Sequence, residues 1–204
     1  MEYFVDMTTH VPDGTPEKAV DAVRSSEAAR AAELAAEGYL LRLWRPPAVP
    51  GEWRTFGLFA ADGDRELDGV LASMPLHVWR TDQVTALSAH PNDPAAIRGR
   101  ESSEFLTTLT ITVPDGTPAR LVDKLKADEA VQAALLAEQG RLVRLWTPSR
   151  PPGVWRTLGL WSASDPDVLT TTLESLPLHV WMSIQTTPLS VHPNDPVSPV
   201  RSQR

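Results

Sequence analysis

Apolar and polar positions change rhythm along the chain, and the changes mark the elements. Tyr3-Phe4-Val5-Asp6-Met7-Thr8-Thr9 is a run of strand formers. The turn Pro12-Asp13-Gly14 follows, and Thr15 with Pro16 reads as a helix cap and first helical position. Beyond it the period lengthens: at 100° per residue Val20, Val23, Ala31 and Leu34 share one stripe. This helix runs to about Glu37, where Gly38 stops it. Tyr39–Arg45 and Trp53–Ala60 read as strands around a loop holding Pro46, Pro47 and Pro50. Asp64 caps a short helix through Met74, Pro75 ends it, and a last strand covers Val78–Leu87.

The same series then recurs. Val11-Pro12-Asp13-Gly14-Thr15-Pro16 returns as Val113-Pro114-Asp115-Gly116-Thr117-Pro118, and Pro75-Leu76-His77-Val78-Trp79 as Pro177-Leu178-His179-Val180-Trp181. His90-Pro91-Asn92-Asp93-Pro94 returns as His192-Pro193-Asn194-Asp195-Pro196. The offset is 102 residues throughout, with about 47 of 102 aligned pairs identical. The chain is a tandem duplication, with copies at residues 1–95 and 103–198 and a polar linker near Ala95–Ser103. The second copy predicts elements at Phe105–Thr112, Pro118–Gln139, Arg141–Thr147, Trp155–Ser162, Pro166–Leu176 and Val180–Leu189.

A βαββαβ order predicts the α+β ferredoxin-like arrangement, both helices on one face of an antiparallel sheet. Arg42 and Trp44 alternate with Leu41 and Leu43, so both faces of that strand carry bulky side chains. A small sheet with two such faces buries the second against another sheet, and the duplicate supplies one. The expectation is two tandem ferredoxin-like domains packed sheet to sheet as a pseudo-dimeric α+β barrel.

Charge and composition narrow the function classes. The 204 residues carry a net charge of −7 and no Cys. No half is basic: the first holds 10 Lys/Arg against 16 Asp/Glu, the second 9 against 10. That opposes a nucleic-acid partner, which needs a basic patch. Without Cys there is no disulfide, zinc–thiolate site, iron–sulfur cluster or thiol nucleophile. The start lacks a signal-peptide pattern and no stretch approaches the roughly 18 apolar residues of a membrane span, so a soluble cytoplasmic protein without a membrane partner is expected.

The best chemical signal lies in the long helix. Glu27 sits in the middle of the apolar stripe, and Glu129 in the middle of its counterpart Val122, Leu125, Ala133 and Leu136. A carboxylate facing a core is costly unless paired or protonated, and burial lifts its pKa toward the range useful for proton transfer. Arg24 and Lys126, one turn earlier, are placed to pair with it at i,i+3. A structural pair filling a gap between elements is the plainer alternative. Arg42 and Arg144 share a strand face with Trp44 and Trp146; they suit either a ligand carboxylate beside an aromatic wall or a structural ion pair, with Asp6 as partner in the first copy only. Four of the five His fall in repeated motifs, His77 and His179 before the last strand and His90 and His192 in the tails. The tail motif reads as a turn that ends the domain, and no metal site is expected.

Several segments together resemble the muconolactone isomerase family: Glu2–Met7, Leu125-Lys126-Ala127-Asp128-Glu129, Arg144-Leu145-Trp146, Leu176–Met182 and Pro188-Leu189-Ser190-Val191-His192-Pro193. The resemblance spans each copy in order. It implies a ferredoxin-like subunit forming homo-oligomers and a cofactor-free reaction that moves a ring double bond, converting muconolactone to 3-oxoadipate enol-lactone. By that likeness Glu129 and Glu27 shuttle the proton, and Lys126 or Arg24 tunes the carboxylate or steadies a dienolate-like intermediate. Arg144 and Arg42 hold the carboxylate of a small-molecule substrate, with Trp146, Trp44, Trp155 and Trp53 as pocket wall and His179 and His77 nearby. This chain departs in carrying two copies, and in placing Asp6 and Thr108 where the family has a lysine on the first strand. A relative turned to isomerisation or cyclisation in specialised metabolism, and a non-catalytic small-molecule-binding or assembly protein, remain as alternatives. Exposed Glu27 and Glu129 without an adjoining cavity would favour the last.

Overall fold

The computed structural model describes residues 1–49, 51–94, 103–149 and 155–197; the linker at 95–102 and residues 150–153 of the second proline-rich loop lie outside them. The chain forms two compact units: Met1–Leu87 with the chain from Ser190 onward, and Ser88–Leu189. The boundaries matter for function, because each unit includes the tail of the other sequence copy.

In the first copy β1 (Glu2–Thr9), α1 (Glu17–Ala36), β2 (Leu40–Arg45), β3 (Trp53–Ala60), α2 (Asp64–Ala72) and β4 (Arg80–Ala89) follow the expected βαββαβ order. β1 pairs antiparallel with both β3 and β4, and β3 with β2. The strand order is therefore 4-1-3-2, the ferredoxin-like one. The second copy repeats it with β5 (Ser103–Ile111), α3 (Ala119–Glu138), β6 (Leu142–Pro148), β7 (Trp155–Ala163), α4 (Pro166–Glu174) and β8 (Met182–Val191). Among the described residues no helix is long and apolar enough to cross a membrane.

Alternation along β1 separates the faces. Tyr3, Val5 and Met7 are buried in a core with Ala31 and Leu34 of α1 and Leu67, Val70 and Leu71 of α2. Side chains of this kind each contribute about 1.5–3 kcal/mol when fully buried. The second core is built alike, from Phe105, Leu109, Ala133, Leu136, Leu142 and Trp161. In each helix only the C-terminal part of the stripe reaches the core; Val20, Val23, Val122 and Leu125 are half-buried. The middle of each helix lines a cavity, through Arg24, Glu27, Ala28 and Ala31 of α1 and Lys126, Glu129 and Ala133 of α3.

Three local expectations are corrected. Asp64 is the first residue of α2 rather than its cap, a place taken by Gly63. Thr15 does not cap α1: its hydroxyl donates to the Pro12 carbonyl at 2.6 Å, and Pro16 is the capping residue, in an extended conformation. The last strands begin two residues later than expected, because Pro75–Trp79 and Pro177–Trp181 form 3₁₀ turns. Proline fixes φ and pushes the residue before it into an extended conformation, so the chain leaves α2 and tightens at once. This detail serves the site. The first N–H groups of such a turn have no partner within it, and those of Leu76 and Leu178 are claimed by the helix carboxylates.

Candidate active site

Each unit holds a cavity between its long helix and its sheet: about 520 Å³ in the first and about 410 Å³ in the second. Glu27 and Glu129 line them. Glu27 is buried, 7% exposed, and its Oε2 accepts from the Leu76 N–H at 2.8 Å. Glu129 is half-buried, and its Oε2 accepts from the Leu178 N–H at 2.9 Å. One backbone donor holds each carboxylate in place while burial pushes its pKa above the usual range. The two helix carboxylates, expected to face a core, each lie beside a cavity.

The surroundings of the two carboxylates differ. Arg80, with its side chain 2% exposed, donates from Nη1 to Glu27 Oε1 at 3.4 Å. The same guanidinium is gripped by Asp82, at 2.6 Å from Nε and 3.0 Å from Nη2, and donates to the Leu71 carbonyl at 3.3 Å. For Glu27, burial outweighs the opposing pull of the Leu76 N–H and Arg80, while Asp82 adds a smaller upward push. In the second copy Met182 and Ile184 stand in place of Arg80 and Asp82. Burial of Glu129 is opposed by the Leu178 N–H alone. Its cavity is largely apolar, with Leu109, Leu142, Leu145, Leu176 and Trp161 in the wall. Gly159 makes room for that tryptophan, whose Nε1 donates to Thr107 Oγ1 at 2.9 Å.

Arg24 and Lys126 line the cavities but do not pair with the carboxylates as the i,i+3 spacing suggested. The Arg24 guanidinium lies 4.3 Å from the centre of the Trp53 ring, and the Lys126 ammonium 4.2 Å from that of Trp155. A cation over an indole keeps one side in solvent, and avoids the desolvation that a buried pair with the carboxylate would demand. Trp53 and Trp155 thus belong to the cavity walls.

Six other residues expected to meet a ligand lie outside the two cavity walls. Arg42 and Arg144 are not among the cavity-lining residues. Each is buried and grips a tail aspartate: Arg42 Nε lies 3.2 Å from Asp195 Oδ1, and Arg144 Nε 3.1 Å from Asp93 Oδ1. The same carboxylate oxygens accept from the Leu43 and Leu145 N–H groups at 2.9 Å. Trp44 and Trp146 are core residues stacked against these guanidinium groups at 4.7 Å. The ion-pair reading of the arginines is the one realised, though Asp6 is not the partner; it binds Arg54 at 2.6 Å. His77 and His179 lie in the 3₁₀ turns outside the cavity walls.

The histidines that do reach the cavities are the tail residues, His192 in the first and His90 in the second. Asn194 and Asn92 accompany them. The tail motif is more than a terminator: its aspartate anchors it to a strand, and its histidine lines a cavity. A polar motif repeated intact beyond the last strand, beside a linker with no need of it, was the available sequence signal. Arg80 was missed for the opposite reason, since it appears in one copy only.

The muconolactone delta-isomerase family matches residues 1–93 and again residues 103–195. Muconolactone Delta-isomerase 1 of Acinetobacter lwoffii is 30% identical over 102 residues, half of this chain and all of that relative. The Muconolactone Delta-isomerase of Cupriavidus pinatubonensis is 31% identical over 90 residues, 44% of this chain and 95% of the relative. A chlorite dismutase from Candidatus Nitrospira defluvii, only 10% identical, shares the fold over 95% of this chain and 92% of its own, with a TM-score of 0.63. Two matches placed end to end, each with its helix carboxylate beside a cavity, show that the chain belongs to the muconolactone delta-isomerase family and carries its domain twice.

Proposed function

We propose that the protein moves a carbon–carbon double bond in a small carboxylated lactone, muconolactone or a close analogue, by carboxylate-mediated proton transfer. The observation that carries this reading is Glu129, aimed into an apolar cavity, held by one backbone N–H and raised in pKa by burial. The carboxylate takes the proton from the ring carbon that bears the side chain. The electron pair spreads through the ring double bond toward the lactone carbonyl oxygen, and the same carboxylate returns the proton to the carbon next to the carbonyl. A single base with a raised pKa serves both steps, because it must give up the proton as readily as it takes it. Lys126, over Trp155 in the cavity wall, supplies positive charge for the substrate's free carboxylate.

The second copy is the working half in this reading. Glu27 shares its charge with Arg80, which favours the ionised form and makes it a poorer proton donor in the return step. The test is turnover of muconolactone by the purified full chain, followed by ultraviolet absorbance. Glu129→Gln removes activity and Glu27→Gln leaves most of it. Loss on altering Glu27 alone would reverse the assignment, and absence of turnover by the unaltered protein would end the reading.

A further inference from the structure

We propose that His90, on the tail of the first sequence copy, is the hydrogen-bond donor of the second cavity and holds the ligand oxygen on which negative charge develops. His90 lines the cavity with Glu129. Its Nδ1 accepts a hydrogen bond from the Asn92 N–H at 3.1 Å. A backbone N–H can only donate, so Nδ1 carries no proton, and the neutral ring must carry its hydrogen on Nε2. Among the described residues Nε2 has no partner, so the donor is left for a ligand.

The tail is built to hold that ring still. The His90 N–H donates to the Leu145 carbonyl at 3.3 Å, and the Asp93 N–H donates back to the His90 carbonyl at 2.9 Å. Asp93 is fastened to Arg144 and to the Leu145 N–H. Arg144 and Asp93 are therefore positioning residues for His90. Burial also keeps the imidazole neutral, more strongly than Asp93 favours its charged form. A neutral donor suits an oxygen that is a carbonyl in the ground state and gains charge only during enolisation, since it does not trap an anion before reaction. The inference rests on the proposed isomerase chemistry for the identity of that oxygen; the donor itself follows from the ring's hydrogen bonds.

The test uses the full chain labelled with ¹⁵N-histidine, with His90→Gln identifying the His90 signals by their loss. The probe is 5-oxotetrahydrofuran-2-acetate, a saturated lactone acid that cannot isomerise. At neutral pH the His90 ring shows the Nε2–H tautomer, and the probe shifts its Nε2 and attached-proton signals. His90→Leu lowers kcat about 10²–10³-fold, as loss of one such donor does, with KM changed less than about 3-fold. His90→Gln, which keeps an N–H, restores at least a tenth of the rate. An Nδ1–H tautomer, no response of His90 up to the solubility limit of the probe, or wild-type kcat in His90→Leu overturns the proposal. A His90 response in a protein that does not turn over muconolactone supports the donor while removing the isomerase reading. The tautomer and probe measurements use the unaltered protein, so they stand if the leucine variant fails to fold.

Discussion

Asp195→Ala removes the most enclosed carboxylate of the tail anchors, and its cost can be worked from the contacts. The Asp195 side chain is 1% exposed and that of Arg42 4%. The carboxylate faces Arg42 Nε at 3.2 and 3.3 Å and accepts from the Leu43 N–H at 2.9 Å. Truncation removes a buried carboxylate from the face of a buried guanidinium and takes the acceptor from the Leu43 N–H. Breaking a buried pair from one side costs about 3–5 kcal/mol. For a chain of this size that lowers Tm by roughly 6–20 °C. Thermal and urea unfolding followed by tryptophan fluorescence gives the value, and Trp44, stacked on Arg42, adds a local reporter. The double variant Arg42→Met with Asp195→Leu removes both charges and recovers most of the loss, because neither ion then has to be desolvated. A loss below about 1 kcal/mol in Asp195→Ala, or a double variant as unstable as the single, would refute the view that this pair anchors the tail.

The pH dependences of the two kinds of buried group have opposite signs. Burial, with a smaller push from Arg45, holds His192 down at about 4. Between pH 6.5 and 4 the unfolded chain binds a proton that the folded chain refuses, so stability falls as pH drops, by up to ~3 kcal/mol; His192→Gln flattens that part of a stability–pH curve. Glu129 has its pKa raised, so the stability tied to its protonation is present at low pH and is lost as pH rises through the folded value; comparing unfolding of Glu129→Gln with wild type across that range isolates it. The exchange Arg80→Met with Asp82→Ile gives the first copy the residues of the second. It raises the Glu27 pKa, since Arg80 lowers it more than Asp82 raises it; a ¹³C carboxyl titration by NMR showing a fall would contradict this. Gly159→Ala puts a methyl group into the space of the Trp161 ring. Overpacking of this kind costs about 1–3 kcal/mol and displaces one wall of the second cavity, read as a lower Tm and weaker binding of the saturated lactone acid.

Much of the fold was legible because duplication states each local rule twice. Strand formers, the helical stripe, Gly38 and the proline-bounded turns are short-range features, and they set a βαββαβ order without reference to anything distant. The carboxylates were legible for a similar reason: Glu27 and Glu129 interrupt a periodic apolar stripe, and an interruption on the buried face is visible in one dimension. The partners of the arginines were not. Arg42 meets Asp195 across 153 residues, while the nearer Asp6 is taken by Arg54 on the adjoining strand. Charge and strand face narrowed the options, but only folding brought one carboxylate within reach of the guanidinium.

By itself, the sequence determined that this protein is a doubled ferredoxin-like chain with a carboxylate in each long helix, because periodicity and turn chemistry act over a few residues. Which groups share a cavity with those carboxylates was decided by tertiary structure. The tail of each copy is fastened into the compact unit holding the other copy's helix and first three strands, so His90 belongs with Glu129 and His192 with Glu27. The Pro75 and Pro177 turns supply the N–H groups that hold the carboxylates, and Arg80 reaches Glu27 from 53 residues away. Burial, hydrogen-bond partnership and the resulting pKa depend on what surrounds a group in space. Only the folded chain sets them.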